Sequence, residues 1–405
     1  MTTRDLYEEG CAASVIPGQY IRRGIVVSVL MMMALSWLPA TLGVLAASQG
    51  LSSIQLGRLA TAELLGLLIG ATAASTRTLG SLRSWALVAA ALMIVINIAV
   101  PLGAPSSSLA LLRFAAGLGA GLGYGLGLKL CAVSERPTRM FGLLNAGISA
   151  TMILGFQFIP RLQVSRNLGQ WAGLRGGLAT EIFALYALLA GVSFVLLARM
   201  RLPSTASSGH SGDVRRGLPR PTELIGLLSI GLSFIAYGAV WAFLPLLGVA
   251  HKLPASGVAN ATSIFAFVSL LGSIAIGSVP EHVPRWLLGG MSLILVMGGL
   301  YALYGFGTLR AYTLGCALCG FYWPFNMPLI LGVLARLDTT GRASVLGGSM
   351  STAGSALGPM IAGALIHSAD YRPVGWMAAI MCAAAFGFLM ILVGRSSALK
   401  LEPVN

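Results

Sequence analysis

The chain has 405 residues, of which 26 are Lys or Arg and 12 are Asp or Glu, so charged side chains make up 9% of the sequence and apolar residues 56%. A soluble globular protein carries about 25% charged residues, so this composition, with a mean hydropathy of +0.85, excludes a soluble enzyme, a disordered chain and, with five cysteines, a disulfide-stapled scaffold. The net charge of +14 comes from basic residues scattered between apolar runs, which indicates a lipid bilayer as the partner and not nucleic acid.

Apolar runs long enough to cross a membrane follow one another along the whole chain. A helix needs about 20 residues to cross about 30 Å of hydrocarbon. Twelve runs meet this length and are numbered spans 1 to 12: 24–47, 55–75, 85–103, 108–130, 141–160, 178–198, 223–249, 256–278, 286–307, 309–335, 343–366 and 374–394. The sequence therefore predicts an all-α integral membrane protein with twelve transmembrane helices.

The polar segments between the spans predict the domains and the orientation. Residues 1–23 are an N-terminal segment, 199–222 a flexible linker rich in Ser and Gly, and 395–405 a tail, so six-helix bundles are predicted over 24–198 and 223–394. Seventeen Lys and Arg residues fall on the side of the termini and seven on the other side. Because cytoplasmic loops are enriched in basic residues, both termini are predicted to be cytoplasmic, in a bacterial inner membrane.

The two halves of the chain repeat one another. Five landmarks recur in both halves, at offsets between 197 and 206 residues. They are Trp37 and Phe243, each two residues before a proline, then Arg83 and Arg285, Arg113 and Arg310, Tyr124 and Tyr322, and Arg139 and Arg342. Two parallel repeats with a site between them are an architecture of transporters.

Three segments resemble motifs of the major facilitator superfamily. Residues 113–120 (RFAAGLGA) are similar to its span 4 motif RxxQGxGA, and residues 277–285 (GSVPEHVPR) to the GxLADRxGR loop after span 8. Residues 354–363 resemble its glycine-proline motif, but in span 11; drug-proton antiporters carry it in span 5, where residues 147–151 have no proline. The resemblance implies two pseudo-symmetric six-helix bundles and secondary transport.

Two charged residues lie inside predicted spans, where a charge needs a partner or a water-lined cavity. Glu63 in span 2 and Arg113 in span 4 have opposite signs, and both lie about 9–12 Å below the outer boundary at 1.5 Å per residue. One interpretation is a coupling site at which Glu63 binds protons and Arg113 tunes that binding. The alternative is a permanent ion pair that fixes helix packing.

Aromatic and polar residues of several spans are candidates for the substrate site. In the superfamily, spans 1, 4, 7 and 10 line the cavity, and the resemblance implies that role here; ordinary helix packing is the alternative. Aromatic walls with few charges suit an apolar or ring-bearing solute. The candidates are Trp37, Asn145, Phe234, Tyr237, Trp241, Tyr322, Trp323 and Asn326, with Arg310 as a possible contact for an anionic solute. Gly277, Glu281 and Arg285 of the span 8–9 loop are predicted to form a cytoplasmic gate.

The sequence carries no motif for another energy source or chemistry. There is no phosphate-binding loop for ATP and no zinc-protease motif, so no cofactor, metal or catalytic residue is predicted. We expect a monomeric, proton-coupled transporter of a small apolar or aromatic solute, with export slightly favoured. The alternatives are a proton-coupled uptake symporter for a small organic anion or metabolite and, more remotely, an intramembrane enzyme or a membrane protein that does not transport.

Overall fold

The structure is a computed structural model that describes residues 17–75, 77–100, 106–134, 137–162, 178–202, 221–280, 282–337 and 342–398. Within these residues the chain forms thirteen helices and no β-strand beyond one isolated bridge in a loop. The helices are α1 Gly18–Ser36, α2 Leu38–Gln49, α3 Ser53–Ser75, α4 Leu79–Ala99, α5 Ser106–Ala132, α6 Pro137–Leu162, α7 Leu178–Ala198, α8 Pro221–Ala250, α9 Ala255–Ser278, α10 Arg285–Gly305, α11 Leu309–Leu337, α12 Arg342–Leu365 and α13 Arg372–Ala398.

Helices α3 to α13 correspond to predicted spans 2 to 12, whereas span 1 is not one straight helix. It is broken into α1 and α2, which meet at Trp37 with a bend of 42°. Pro39 occupies the first turn of α2, where a proline is tolerated but cannot continue the hydrogen bonding of α1. The helix also begins at Gly18, inside the predicted N-terminal segment.

Nearly every helix can cross a membrane. Among the described residues, ten helices, and α1 with α2 as a bent pair, are long and apolar enough to do so. Helix α12, rich in glycine and serine, is the exception, and it packs between α3 and α8 inside the bundle. The chain is therefore a multi-pass membrane protein: eleven of the twelve predicted crossings are long and apolar enough, and α12 is the helix at the position of the remaining one, span 11.

Polar side chains tie helix ends together at one end of the bundle. The guanidinium of Arg83 donates to the carbonyls of Leu197 and Ala198 at 3.0 Å, which satisfies the C-terminus of α7. Lys129 donates to the carbonyl of Arg77. We call this the inner end, after the predicted cytoplasmic side of the chain, and the opposite end the outer end.

Within each half, glycines let one pair of helices approach backbone to backbone, and the two pairs occupy equivalent positions in the two halves. A Cβ added at Gly66 or Gly117 would overlap a carbonyl of the partner helix in the α3–α5 pair. In the second half, a Cβ at Gly272 or Gly320 would lie 2.5 Å from a carbonyl oxygen of the partner helix in the α9–α11 pair. Spans 2 and 4 thus pack as spans 8 and 10 do, which shows the predicted pseudo-symmetry in three dimensions.

The two halves meet most closely in their outer parts, through α2 with α8, α3 with α12, and α6 with α9. A Cβ at Gly57 would overlap the Pro359 carbonyl, and one at Gly363 the Ser53 carbonyl, so α3 and α12 pack tightly there. Gln157 of α6 donates hydrogen bonds to α9 in the same part of the bundle. The outer end is therefore closed in this structure.

Candidate functional site

Glu63 and Arg113 form an ion pair between α3 and α5. The Arg113 Nε–H donates to Glu63 Oε2 at 3.0 Å, and Nη2 donates to Oε1, so the contact is bidentate. Both residues are 1% exposed. The close approach that Gly117 permits at the Glu63 backbone brings the two helices near enough for this contact. The structure brings these two predicted residues together, and their role in coupling stays a prediction.

Helix α7 covers the ion pair with aromatic rings. The Arg113 guanidinium lies 5.6 Å from the centre of the Phe183 ring, a cation–π contact. Tyr186 lies one turn further along α7 and within electrostatic range of both charges. Its hydroxyl is 2.7 Å from Thr41 Oγ1 of α2. Arg113 Nη1 has no hydrogen-bond partner among the residues that the structure describes, so the buried pair is not fully satisfied there.

Trp37 stands at the break between α1 and α2 and is buried against the same group. Its ring centre is 5.7 Å from that of Tyr186, and its indole N–H donates to the Thr151 carbonyl of α6 at 2.8 Å. Gly155 provides the space, since a Cβ there would overlap the indole ring. Trp37 thus packs the bend of span 1 against α6 and α7, and its place in the substrate site stays a prediction.

Most of the predicted aromatic candidates lie in one cluster, whose members belong to the second half except for Phe156 of α6. Tyr237 stacks on Trp241 with ring centres 6.3 Å apart and planes 5° apart, and it meets Trp323 edge-on at 5.2 Å. Phe234 and Tyr237 are half-buried, whereas the other members are buried. The aromatic cluster consists of Phe156, Phe234, Tyr237, Trp241, Phe265, Tyr322 and Trp323.

The polar atoms beside the aromatic cluster bond to one another. The Trp323 indole N–H donates to the Ser233 carbonyl at 2.9 Å. The Asn326 amide donates to Ser233 Oγ and to the Tyr322 hydroxyl, both at 3.2 Å. These residues of α11 are therefore held in place by α8, and within the aromatic cluster Phe234 and Tyr237 are the candidates that keep exposed surface for a solute.

The other predicted site residues lie away from the aromatic cluster. Asn145 is exposed on α6, and Arg310 is exposed in the first turn of α11, about 18 Å along that helix from Tyr322 at 1.5 Å per residue. Gly277 is exposed near the end of α9 and Arg285 is half-buried at the start of α10. Glu281, the acidic member of the predicted gate, lies outside the described residues.

A cavity and a polar contact between the halves were not foreseen from the sequence. The outer cavity, as we call it, has a volume of about 650 Å³ between α2, α6, α8 and α9. Beside it, the Gln157 amide donates to Asn260 Oδ1 at 2.8 Å and to Ser263 Oγ at 3.0 Å. Amide side chains in the outer parts of two spans, Gln157 and Asn260, were a signal for this contact.

Charged and metal-binding chemistry is sparse in the described part of the chain. It holds no group of three His, Cys, Asp or Glu residues placed to bind a metal ion. Between α12 and α13, hydrogen bonds from the Arg372 side chain and backbone hold the pKa of the Asp370 carboxyl below its usual range. Both side chains are exposed, so this pair belongs to the outer surface.

No family model and no curated protein matches the chain, but solved structures do. The nucleoside transporter NupG superposes with a TM-score of 0.71 at 11% identity, covering 95% of this chain and 100% of that one. A point mutant of NupG gives 0.71 at 9% identity, over 94% and 99%. A bacterial homologue of the human lysosomal transporter Spinster, in an inward-facing and occupied conformation, gives 0.68 at 13%, over 95% and 98%. Likeness at these identities shows a shared fold.

Proposed function

From the premise that this multi-pass membrane protein has the major facilitator fold, we propose that it is a secondary transporter that moves a small organic solute by alternating access. The observation that carries the proposal is the aromatic cluster, which lies at the junction of two pseudo-symmetric halves whose outer ends are closed. A site between two repeats is reached from either side in turn when the halves rock. The names of the structural neighbours, both transporters, support the same function.

The proposed solute is mainly apolar and bears a ring. Phe234 and Tyr237 offer partly exposed aromatic faces, and stacking on such faces favours flat rings. The described residues of the cluster include no charged side chain, so a highly charged solute gains nothing there. Because NupG is a nucleoside transporter, nucleosides are one class to include among the solutes tested.

Proton coupling through Glu63 and Arg113 is the energy source that we propose. Support comes from the burial of the pair, the unsatisfied Arg113 Nη1, and the path through Tyr186 and Thr41 to the bend of span 1. Protonation of Glu63 would release Arg113 from the ion pair. Movement of Arg113 would then reach the α1–α2 bend at the centre of the bundle through Tyr186 and Thr41. The alternative, a permanent pair that fixes packing, draws support from the glycine-permitted closeness of α3 and α5.

The experiment is uptake and efflux of labelled solutes in proteoliposomes with an imposed pH gradient. Accumulation against a gradient in response to the pH difference supports the proposal, and no solute movement above empty vesicles contradicts it. Glu63→Gln is expected to abolish proton-driven accumulation and to leave solute exchange intact. Normal accumulation by Glu63→Gln would assign the pair to packing.

We propose export as the working direction, with uptake of a small organic anion as the second candidate. Exposed Arg310 at the outer end favours the second candidate, since it could attract an anion from outside. Arg310→Gln separates them: it should weaken transport of an organic anion and leave transport of an uncharged solute unchanged.

We also keep as proposals a bacterial inner-membrane location with cytoplasmic termini, a monomeric state, domain boundaries at the 199–222 linker, and a gate at Gly277, Glu281 and Arg285. Exposed ion pairs are worth about 0–1 kcal/mol, so a Glu281–Arg285 contact would bias the access equilibrium without locking it. Labelling of single cysteines from each side of the membrane tests the orientation.

A further inference from the structure

The outer cavity lies on the outer side of the aromatic cluster. Phe156 forms part of its wall and meets Trp241 edge-on, with ring centres 5.5 Å apart. Phe156 comes from the first half and Trp241 from the second, and both are buried. This contact therefore lies between the outer cavity and the half-buried rings of the proposed solute site.

The mouth of the outer cavity is at the helix ends. Its exposed lining residues, Ala47, Ser48, Val249 and Ala255, stand within three residues of the ends of α2, α8 and α9. Its lining deeper in the bundle, such as Val258, is buried. A molecule would therefore enter from the outer surface and come to rest above Phe156.

Small side chains create this space, and they are apolar. One face of α2 presents Ala40, Gly43, Val44 and Ala47 at helical spacing. Among the residues that the structure describes, no charged side chain lines the cavity, and its hydroxyl deep in the bundle, that of Thr262, is already bonded to the Val258 carbonyl of its own helix at 2.8 Å. A charged ligand would lose its hydration without compensation, whereas an uncharged apolar one would gain by burial.

We propose that the outer cavity is a binding site for an uncharged, apolar, ring-bearing molecule, and that this site exists only while the outer end is closed. Its volume falls within the range of small-molecule sites, about 300–1,000 Å³. Its walls come from both halves, α2 and α6 on one side and α8 and α9 on the other, so separation of the halves removes it. A bound molecule therefore holds the outer end closed and inhibits alternation, because a ligand stabilises the state to which it binds better.

The test uses an uncharged photoreactive probe, 3-trifluoromethyl-3-phenyldiazirine, on the full chain in lipid nanodiscs. Mass spectrometry then locates the labelled peptides. We expect labelling of 40–48 and 255–262 that saturates with probe concentration, whereas labelling of lipid-facing surfaces rises linearly. The labelling reports equilibrium binding of the probe, so its result tests the binding site independently of the proposed transport function.

Gly43→Leu is the variant that fills the site. A Cβ at Gly43 meets no atom of the described residues within 4 Å, so the leucine enters the cavity without displacing the backbone. Gly191→Leu on α7 is the matched control, since Gly191 is also half-buried with open space around its Cβ and lies outside the cavity. Saturable labelling should disappear in Gly43→Leu and persist in Gly191→Leu. Ala47→Leu, nearer the mouth, serves if Gly43→Leu does not fold.

The state dependence is tested by joining α6 to α9. Gln157→Cys with Asn260→Cys, linked by a short bifunctional thiol reagent, keeps the outer end closed. Saturable labelling should be retained or raised in the linked protein. Three results would each overturn the proposal. The first is saturable labelling that survives Gly43→Leu or Ala47→Leu, the second is linear labelling of the wild type, and the third is loss of labelling in the linked protein.

Discussion

At the scale of single residues, the Glu63–Arg113 pair is where burial and charge are most strongly opposed. Two ionised groups at 1% exposure have lost their water, and their attraction offsets that loss only while both are present. The contact with Phe183 and the bidentate geometry add to the attraction. Removal of one partner is therefore expected to destabilise the protein more than removal of both.

Glu63→Ala should be strongly destabilising, whereas the double replacement Glu63→Leu with Arg113→Met should regain much of the loss. Leaving Arg113 charged and unpaired costs about 3–5 kcal/mol, whereas exchange of a whole buried pair for apolar residues is often neutral. Thermal unfolding in detergent, followed by tryptophan fluorescence, measures both. A double variant less stable than Glu63→Ala would contradict this account.

Tyr237→Ala should raise the KM for the solute by about two- to twelvefold, because the loss of one stacking face removes about 0.5–1.5 kcal/mol of binding beyond area burial. Tyr301→Ala is the control, since Tyr301 is 67% exposed on α10 and contacts Phe306 instead of the cluster. Transport kinetics in proteoliposomes provide the measurement. Equal effects of the two substitutions would remove Tyr237 from the solute site.

At the scale of helices, glycine decides which pairs can touch. In α3–α5 and α9–α11, the partner carbonyl occupies the place where a Cβ would stand. Glycine in a helix interior costs about 0.5–1 kcal/mol relative to alanine, and close packing offsets this where small residues line a membrane interface. Such pairs move as units, so rocking is expected between the halves and not within these pairs.

Gly117→Ala should destabilise the protein and disturb the Glu63 backbone, despite the better helix propensity of alanine. Gly191→Ala should stabilise it slightly, since a Cβ there meets open space. The two changes in stability have opposite signs because a Cβ at Gly117 would overlap the Glu63 carbonyl, whereas a Cβ at Gly191 meets no carbonyl of the described residues. Unfolding temperatures of both variants in the same detergent check the prediction, and a stabilised Gly117→Ala would contradict it.

At the scale of the whole molecule, the structure corresponds to one of the two states that the proposed alternating access requires, the one with a closed outer end. Contacts of α3 with α12 and of α6 with α9 close the outer end, and one of the neighbours was solved in an inward-facing conformation. The hydrogen bonds of Gln157 and the Phe156–Trp241 contact must break when the outer end opens. They therefore favour the closed state.

Linking Gln157→Cys to Asn260→Cys with a bis-methanethiosulfonate reagent, which joins the two thiols through disulfide bonds, should stop transport in proteoliposomes, and reduction of those disulfides should restore it. The single-cysteine variants and the wild type, treated with the same reagent, are the controls; Cys131, Cys316, Cys319 and Cys382 are buried. Transport that continues at the normal rate in the linked protein would show that α6 and α9 need not separate at the outer end during transport.

The sequence by itself determined the membrane location, the helical class and the repeat, because each depends on local composition and period. An apolar run of about 20 residues can only cross as a helix, and landmarks such as Arg113 and Arg310 keep their order without any tertiary information. The matched depths of Glu63 and Arg113 were predictable for the same reason, since each depth is counted along a helix from its end.

Tertiary structure alone decided which faces meet. No count along the chain places Phe156 of the first half against Trp241 of the second, or Gln157 against Asn260. Whether Trp37 lines a cavity or packs behind it depends on the 42° bend at its own position. The outer cavity is the clearest case, because four helices together enclose it. The missing side chain at Gly43 of α2 creates open space only because α6, α8 and α9 do not fill it.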